Sequence, residues 1–294
     1  MKSQARHYNP SQENKPYDKS GGLRLKGFVK EDHPSLPLVS IITVVYNGKQ
    51  YLEETLLSVI NQDYDNIEYI IVDGGSTDGT LDVISRHEEC IDLWISAKDK
   101  GTYDAMNKGM ELATGTYVNF LNASDFFCDN HTVSSMIKDH KNADLIYGNI
   151  YVVDEQGNDP LYLKAHKLTF NNLLAQDCAV LNHQAIFIKK EAAPSYNLTF
   201  KYRAELNWYY DIIESLGSRG LIVHRDIPVV YYKTGGISYK KLWGPLYEWM
   251  SIEFKKGGLR GIFKKIPRYL NSILDHYGLL SPINKTFALI KTLW

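Results

Sequence analysis

From Leu38 onward the sequence alternates short apolar runs with segments of helical spacing, and this repeat restricts the fold more than any other feature. Leu38-Val-Ser-Ile-Ile-Thr-Val-Val45 reads as a buried strand, and Tyr51 to Gln62 carries Leu52, Leu56, Val59 and Ile60 at helical period. The pattern recurs as strand Ile67 to Val72, helix Thr80 to His87, strand Ile91 to Ile95, helix Tyr103 to Ala113 and strand Tyr117 to Leu121. Such alternation predicts an α/β fold with a mostly parallel sheet and helices on both faces, because each crossover helix must bury its apolar stripe on the sheet. After Asp125 the rhythm loosens. A helix is expected near Thr132 to Asp139, strands near Leu145 to Val153 and Ala185 to Lys189, a helix from Glu205 to Leu216 and a closing strand Pro228 to Tyr232. This half reads as α+β built onto the edge of the first sheet. With no internal repeat, solenoids and propellers are excluded.

Composition closes off other classes. A chain of 294 residues with 44% hydrophobic and 23% charged residues can bury a sizeable core, which excludes disordered, collagen-like and coiled-coil chains. Cys90, Cys128 and Cys178 have no CxxC spacing, so neither a disulfide framework nor a zinc ribbon is expected and a reducing cytoplasm fits. Residues 1–37 are polar, without an apolar signal region, and no run of 18 apolar residues occurs, so neither secretion nor membrane spanning is expected. Those residues read as an extended arm with little regular structure.

The net charge of −1 hides an asymmetry. Residues 240–294 carry ten basic and three acidic residues, a balance of +7 against −8 for the remainder. Interleaved with Trp243, Tyr247, Trp249, Phe254, Phe263 and Tyr269, this basic helical tail suits an anionic membrane surface better than nucleic acid. An amphipathic appendage packed on the domain is the alternative.

Ligands of open α/β sheets bind beyond the carboxyl ends of the strands, so the turns there carry the functional reading. They are polar: Thr43-Val-Val-Tyr-Asn47, Asp73-Gly-Gly-Ser-Thr-Asp-Gly79, Ser96-Ala-Lys-Asp-Lys-Gly101 and Asn122-Ala-Ser-Asp125. GxGxxG and GxxxxGK[ST] are both absent, which removes Rossmann dehydrogenases and P-loop NTPases. Asp73 is placed to accept hydrogen bonds from a nucleobase N–H or a ribose hydroxyl, or merely to form its turn. Asp125 can hold Mg2+ or Mn2+ against a diphosphate, or merely cap a following helix.

Three stretches, Val39 to Asn47, Tyr69 to Thr80 and Asp99-Lys-Gly-Thr-Tyr-Asp-Ala-Met-Asn-Lys-Gly109, resemble glycosyltransferase family 2, and most of all its bacterial surface-polysaccharide enzymes. The similarity runs from about Leu38 to Ser238, leaving the arm and tail outside. It implies a GT-A fold, with a nucleotide-sugar-binding half at 38–126 and an acceptor-side half at 127–239. It also implies a nucleotide-diphosphate sugar donor (a UDP-sugar by family habit), a divalent metal, Mn2+ or Mg2+, and hexosyl transfer with inversion to a saccharide or lipid-linked acceptor hydroxyl. By position, Thr43, Tyr46, Asn47 and Asp73 would line the nucleoside pocket, with Asp99, Asp104, Asn107, Lys108 and Ser124 near the ribose and diphosphate. Asp104 has helix capping as its alternative, and Lys108 simple solvation.

Where the family's metal motif has two or three acidic residues, Asn122-Ala-Ser-Asp125 retains only Asp125. The family's general base is an aspartate at a helix start, and Tyr202-Arg-Ala-Glu-Leu-Asn-Trp208 puts Glu205 there, with Asn207 where a further acid is common and Asp211 in reserve. Glu205 as a cap or salt-bridge partner is the alternative. His183 and Gln184 resemble the family's acceptor-side His-Gln pair, and Lys233 with Ser238 would reach the diphosphate through a loop freed by Gly235-Gly236. The acceptor expected is a saccharide, one carried on polyprenyl diphosphate included, at the inner face of the cytoplasmic membrane. A non-catalytic sugar-nucleotide or glycan binding subunit is the competing reading. A nucleotidyltransferase would want a Gly- and Arg-rich loop where Tyr46-Asn-Gly-Lys49 stands.

Overall fold

A computed structural model describes residues 17–154, 156–175, 181–234 and 241–276. The elements run β1 (Lys19–Gly21), β2 (Val39–Val45), α1 (Leu52–Ile60), β3 (Ile67–Asp73), α2 (Thr80–Arg86), β4 (Leu93–Ser96), α3 (Thr102–Leu112) and β5 (Tyr117–Phe120). There follow β6 (Phe126–Phe127), α4 (Thr132–Ile137), β7 (Leu145–Val153), β8 (Leu161–Leu163), α5 (Phe170–Ala175), β9 (Ile186–Lys189), α6 (Ala204–Leu216), β10 (Ile222–Lys233) and α7 (Trp243–His276). One sheet takes the order β1-β4-β3-β2-β5-β9-β7-β10-β6, with β8 paired to β7. Its centre, β4-β3-β2-β5, is parallel. The antiparallel β9 joins this centre to the parallel pair β7 and β10, so all six of those parallel strands end on the same side of the sheet.

Alternating side chains of β2 feed two cores. Val39, Ile41 and Val45 pack with Leu52, Leu56 and Val59 of α1, Val83 of α2 and Met136 of α4. Ile42 and Val44 face the other way, onto Met106 and Met110 of α3 and the layer of α5 and α6. Two-sided burial is what a central parallel strand requires, and it explains why β2 and β3 read as continuous apolar runs rather than alternating ones.

Three elements were not expected from sequence: β6, β8 and α5, of two to six residues each. The arm also departs from the expectation of little regular structure. β1 pairs antiparallel with β4 and covers the outer sheet edge, and a 3-10 turn at Leu23–Lys26 buries Arg24. The Arg24 guanidinium donates to Glu68 Oε1 (3.2 Å) and to the Leu112 carbonyl (2.8 Å), and Glu68 also accepts from Ser40, the Thr114 N–H and the Thr114 hydroxyl. Polar residues whose partners lie 28 to 88 positions away leave no periodic trace, so the arm reads as solvated until it is seen docked.

α7 is helical as expected of the tail, but it is not one rod. Gly258 leaves the helix (φ 59, ψ −153) in a conformation costly for any residue with a Cβ. Beyond it the chain folds back: the Lys265 ammonium pairs with Glu253 Oε1 at 2.5 Å, although in a straight helix those residues would stand about 18 Å apart. Ile262 and Ile273 of the second half pack against Leu246 and Trp249 of the first, making an antiparallel hairpin against α5 and α6. Cys178, Gly235-Gly236, Ser238, Lys240 and the segments 1–16 and 277–294 lie outside the described residues.

Candidate active site

The turns after β2 and β3 are tied to each other. Asn47 adopts φ 49, its N–H donates to Ser76 Oγ (2.7 Å), and its side-chain oxygen accepts from Thr77 N–H (3.0 Å). Asp73 ends β3 fully buried. Its Oδ2 accepts from Gly75 N–H, Ser76 N–H and Ser96 Oγ, which is turn formation. Oδ1 is also buried and has no hydrogen-bond partner among the described residues, leaving one acceptor for a ligand N–H or O–H. Thr43 is fully buried with its hydroxyl 3.1 Å from that of Tyr69, so it underlies the pocket instead of opening onto it. Tyr46 is exposed, and a Cβ on Gly74 would stand 2.6 Å from Asp99 Oδ2 and 3.3 Å from the Tyr46 ring. The absent side chain at Gly74 therefore lets Tyr46 and Asp99 approach.

Asp99 accepts from Gly101 N–H (2.8 Å), and burial, reinforced by the nearby Asp104 and Asp73, raises its pKa against the pull of Lys108. Asp104 accepts from the N–H of Lys100, the residue before the helix N-cap Gly101 (3.0 Å), and pairs with Lys108 (3.0 Å), so Lys108 is not simply solvated. Asn107 spends both ends of its amide on the Tyr196 backbone (2.9 and 2.7 Å), which pins α3 to the segment before α6.

After β5 the backbone is tightly braced. Ser124 holds φ 102, a left-handed conformation sustained by its N–H donating to Thr55 Oγ1 (3.1 Å) while Thr55 donates to the Asp125 carbonyl (2.8 Å). Asp125 precedes β6, not a helix, which removes its capping alternative. Its carboxylate is buried and accepts from Gln184 Nε2 (2.6 Å) and Lys233 N–H (2.7 Å). Burial pushes its pKa up to about 7, the hydrogen bonds from Lys233 and Gln184 opposing. Gln184, expected on the acceptor side, is instead a fully buried brace that also accepts from Asn122 N–H (2.9 Å). His183 stands 3.3 Å from Asn122 Nδ2, and burial lowers its pKa to about 4, so the ring is neutral. Among the described residues no three His, Cys, Asp or Glu side chains cluster as a metal cage. No ion pair among the described residues engages Asp125, so a carboxylate with a lone pair left on each oxygen fits a divalent ion held by one protein ligand, with ligand and water oxygens completing the shell.

On the acceptor side, Glu205 lies in the first turn of α6. The Tyr103 hydroxyl donates to Glu205 Oε2, and Arg203 Nη1 is 3.7 Å from Oε1. Burial raises the pKa of this carboxyl, with Arg203 and Tyr103 opposing, and burial, with the Glu205 charge adding to it, raises those of Tyr103, Tyr196 and Tyr209. Asp211 is taken by Asn207 (2.5 Å) and Lys256 (2.8 Å), so it drops out as the reserve base. The Lys233 ammonium pairs with Glu54 (2.6 Å) and lies 5.3 Å from the Phe126 ring centroid, not with the other site residues.

The family model for glycosyl transferase family 2 matches residues 40–195, just over half the chain, and spans all four turns. The chain belongs to glycosyl transferase family 2. The PGL/p-HBAD biosynthesis glycosyltransferase of Mycobacterium bovis is 32% identical over 214 residues, covering 69% of this chain and 79% of that protein. Staphylococcus aureus TarS (residues 1–349, solved with UDP-GlcNAc) superposes with a TM-score of 0.59 at 14% identity, over 86% of this chain and 79% of that one. The mannosyltransferase PcManGT of Pyrobaculum calidifontis, solved with GDP-Man and Mn2+, gives 0.54 at 14%, over 95% and 88%. At those identities the likeness establishes the GT-A-like fold.

In this family 2 enzyme two site residues escaped the sequence reading. Tyr103 sits inside the Asp99–Gly109 motif, so its position was marked although its bond to Glu205, 102 residues away, was not. Thr55 braces the Asp125 turn from 70 residues away, and nothing in its own helix distinguishes it.

Proposed function

We propose that this glycosyltransferase moves a hexosyl group from a nucleotide-diphosphate donor, a UDP-sugar by the family's habit, to an acceptor hydroxyl with inversion, in polysaccharide biosynthesis. The observation that carries it is the Tyr103–Glu205 bond, which ties the donor-side motif of α3 to the carboxylate in the first turn of α6. The nucleoside would sit against Tyr46 with a donor group on Asp73 Oδ1, and Asp99 would lie beside it. Glu205 takes the proton of the acceptor hydroxyl as that oxygen forms its bond to the anomeric carbon, and the carbon–oxygen bond to the diphosphate breaks on the opposite face. Asp125 is the residue that would hold Mn2+ or Mg2+, and such an ion neutralises charge on the departing diphosphate. An acceptor carried on polyprenyl diphosphate would place the reaction at the inner face of the cytoplasmic membrane.

A thermal-shift screen of nucleotide-diphosphate sugars with and without Mn2+ tests the reading, because a ligand that binds only the folded state raises its melting temperature. One donor should shift the transition in the presence of metal, and Asp73→Ala and Asp125→Ala should each lose about 1–3 kcal/mol of donor binding, a five- to 150-fold rise in Kd. Binding without any turnover would favour a sugar-nucleotide binding subunit. An unshifted transition with every donor would remove the proposal.

A further inference from the structure

We propose that the α7 hairpin is a membrane-docking face that lies in the headgroup layer of an anionic bilayer. The biological setting rests on the function proposed above, but the surface stands on its own geometry. Among the described residues, more than half of the exposed large hydrophobic side chains belong to this one element. In the first half they fall at Trp243, Tyr247, Met250 and Phe254, and in the second at Leu259, Phe263, Ile266 and Leu270, each set stepping by four, three and four residues. That spacing draws a single stripe along each helix. Tyr247 is 74% exposed, and Trp243 and Phe263 are each 65% exposed, values expected of lysine and glutamate rather than aromatic rings.

The two stripes share a side. Residues 246, 249 and 253 of the first half meet 262, 265 and 273 of the second. Each exposed stripe lies one residue after its contact stripe, hence about 100° around its own helix. Because the halves run antiparallel, that rotation has opposite sense about the two axes, and both stripes turn to the same flank of the hairpin. The result is a two-row apolar strip. No helix among the described residues is long and apolar enough to cross a membrane, so such a strip lies in the interface plane.

Charge selects the lipid. Glu248 is turned inward to accept from the N–H groups of Lys201, Tyr202 and Arg203, and Glu253 is buried with Lys265. Lys241, Lys255 and Arg260 remain at the surface. Glu248 and Glu253 are thus spent inside the protein while Lys241, just before the hairpin, and Lys255 and Arg260, on it, stand exposed, the arrangement that anionic headgroups attract. A second copy of the chain would bring like charge against like, which disfavours the strip as a dimer seam.

The test is flotation of the full chain with phosphatidylcholine vesicles containing or lacking phosphatidylglycerol, beside the Tyr247→Ser, Phe254→Ser, Phe263→Ser triple variant. The wild-type chain should float with the anionic vesicles and be released by salt, and the variant should lose on the order of ten-fold or more in the bound fraction with an unchanged melting temperature. A wild-type chain that does not float, or a variant that floats equally well, overturns the proposal. So does sedimentation showing a dimer that the variant converts to monomer without any vesicle binding. Vesicle binding by a chain that transfers no sugar would leave this surface standing and remove only the proposed function; transfer by a chain that never floats would do the reverse.

Discussion

Replacing Glu205 with glutamine is expected to lower kcat by roughly 10²–10⁴-fold while donor Kd stays within a factor of two or so, the pattern of a lost general base. Glutamine keeps the side chain's length and can still accept from the Tyr103 hydroxyl, so the pocket should hold its shape and only the proton acceptor is lost. The pH dependence supplies an independent reading. Burial holds the Glu205 carboxyl above the usual carboxylate range, opposed by Arg203 and by the Tyr103 hydroxyl. A base works deprotonated, so kcat should rise with pH through that raised value and level off above it. Tyr103→Phe removes a hydrogen bond that favours the charged form, and the rising limb should therefore move to higher pH. A purely structural Glu205 would leave the limb where it was in Tyr103→Phe, and full turnover by Glu205→Gln would end its assignment. Asp211 offers no ready substitute, because Lys256 and Asn207 already occupy it.

The parts of the molecule legible in sequence are those whose partners are close along the chain or whose burial is two-sided. β2, β3 and β7 declare themselves as apolar runs, and the helices α1, α3 and α6 by their period, because each buries a whole face. Asp73 and Asp125 could be singled out because they end such runs at the side of the sheet where ligands collect. What their atoms do could not be read. The bonds that pin Asn107 to Tyr196, brace Asp125 with Gln184 and Thr55, and give Asp211 to Lys256 join residues 45 to 89 positions apart, at distances no local pattern encodes. The fold-back of α7 was hidden for a related reason. A single Gly258 between two amphipathic stretches of the same period looks like a tolerated glycine until its dihedrals are known. The basic count of the tail likewise overstated its free charge, since Lys256 and Lys265 serve the protein's own carboxylates.

The same long-range polar contacts make the second large prediction. Glu68→Leu should destabilise the fold by about 3–5 kcal/mol, the usual cost of removing one member of a buried ion pair. Glu68 and Arg24 are both nearly inaccessible (3% and 8%), and the glutamate also receives hydrogen bonds from Ser40 and Thr114, so leucine strands several buried donors at once. For a domain of this size a loss of that order lowers the melting temperature by roughly 6–10 °C, measurable by calorimetry. Adding Arg24→Met to Glu68→Leu should recover part of the loss, because the buried charge that has lost its carboxylate is then gone while the cavity keeps its volume. The comparison also decides how the arm is held. Arg24 belongs to the segment that covers the β4 edge, whereas Glu68 and Ser40 belong to β3 and β2 at the centre of the sheet, so their bond makes the arm part of the cooperative unit. An unchanged melting temperature in Glu68→Leu, together with new protease cleavage confined to residues 17–37, would show instead that the arm detaches locally and that the sheet stands without it.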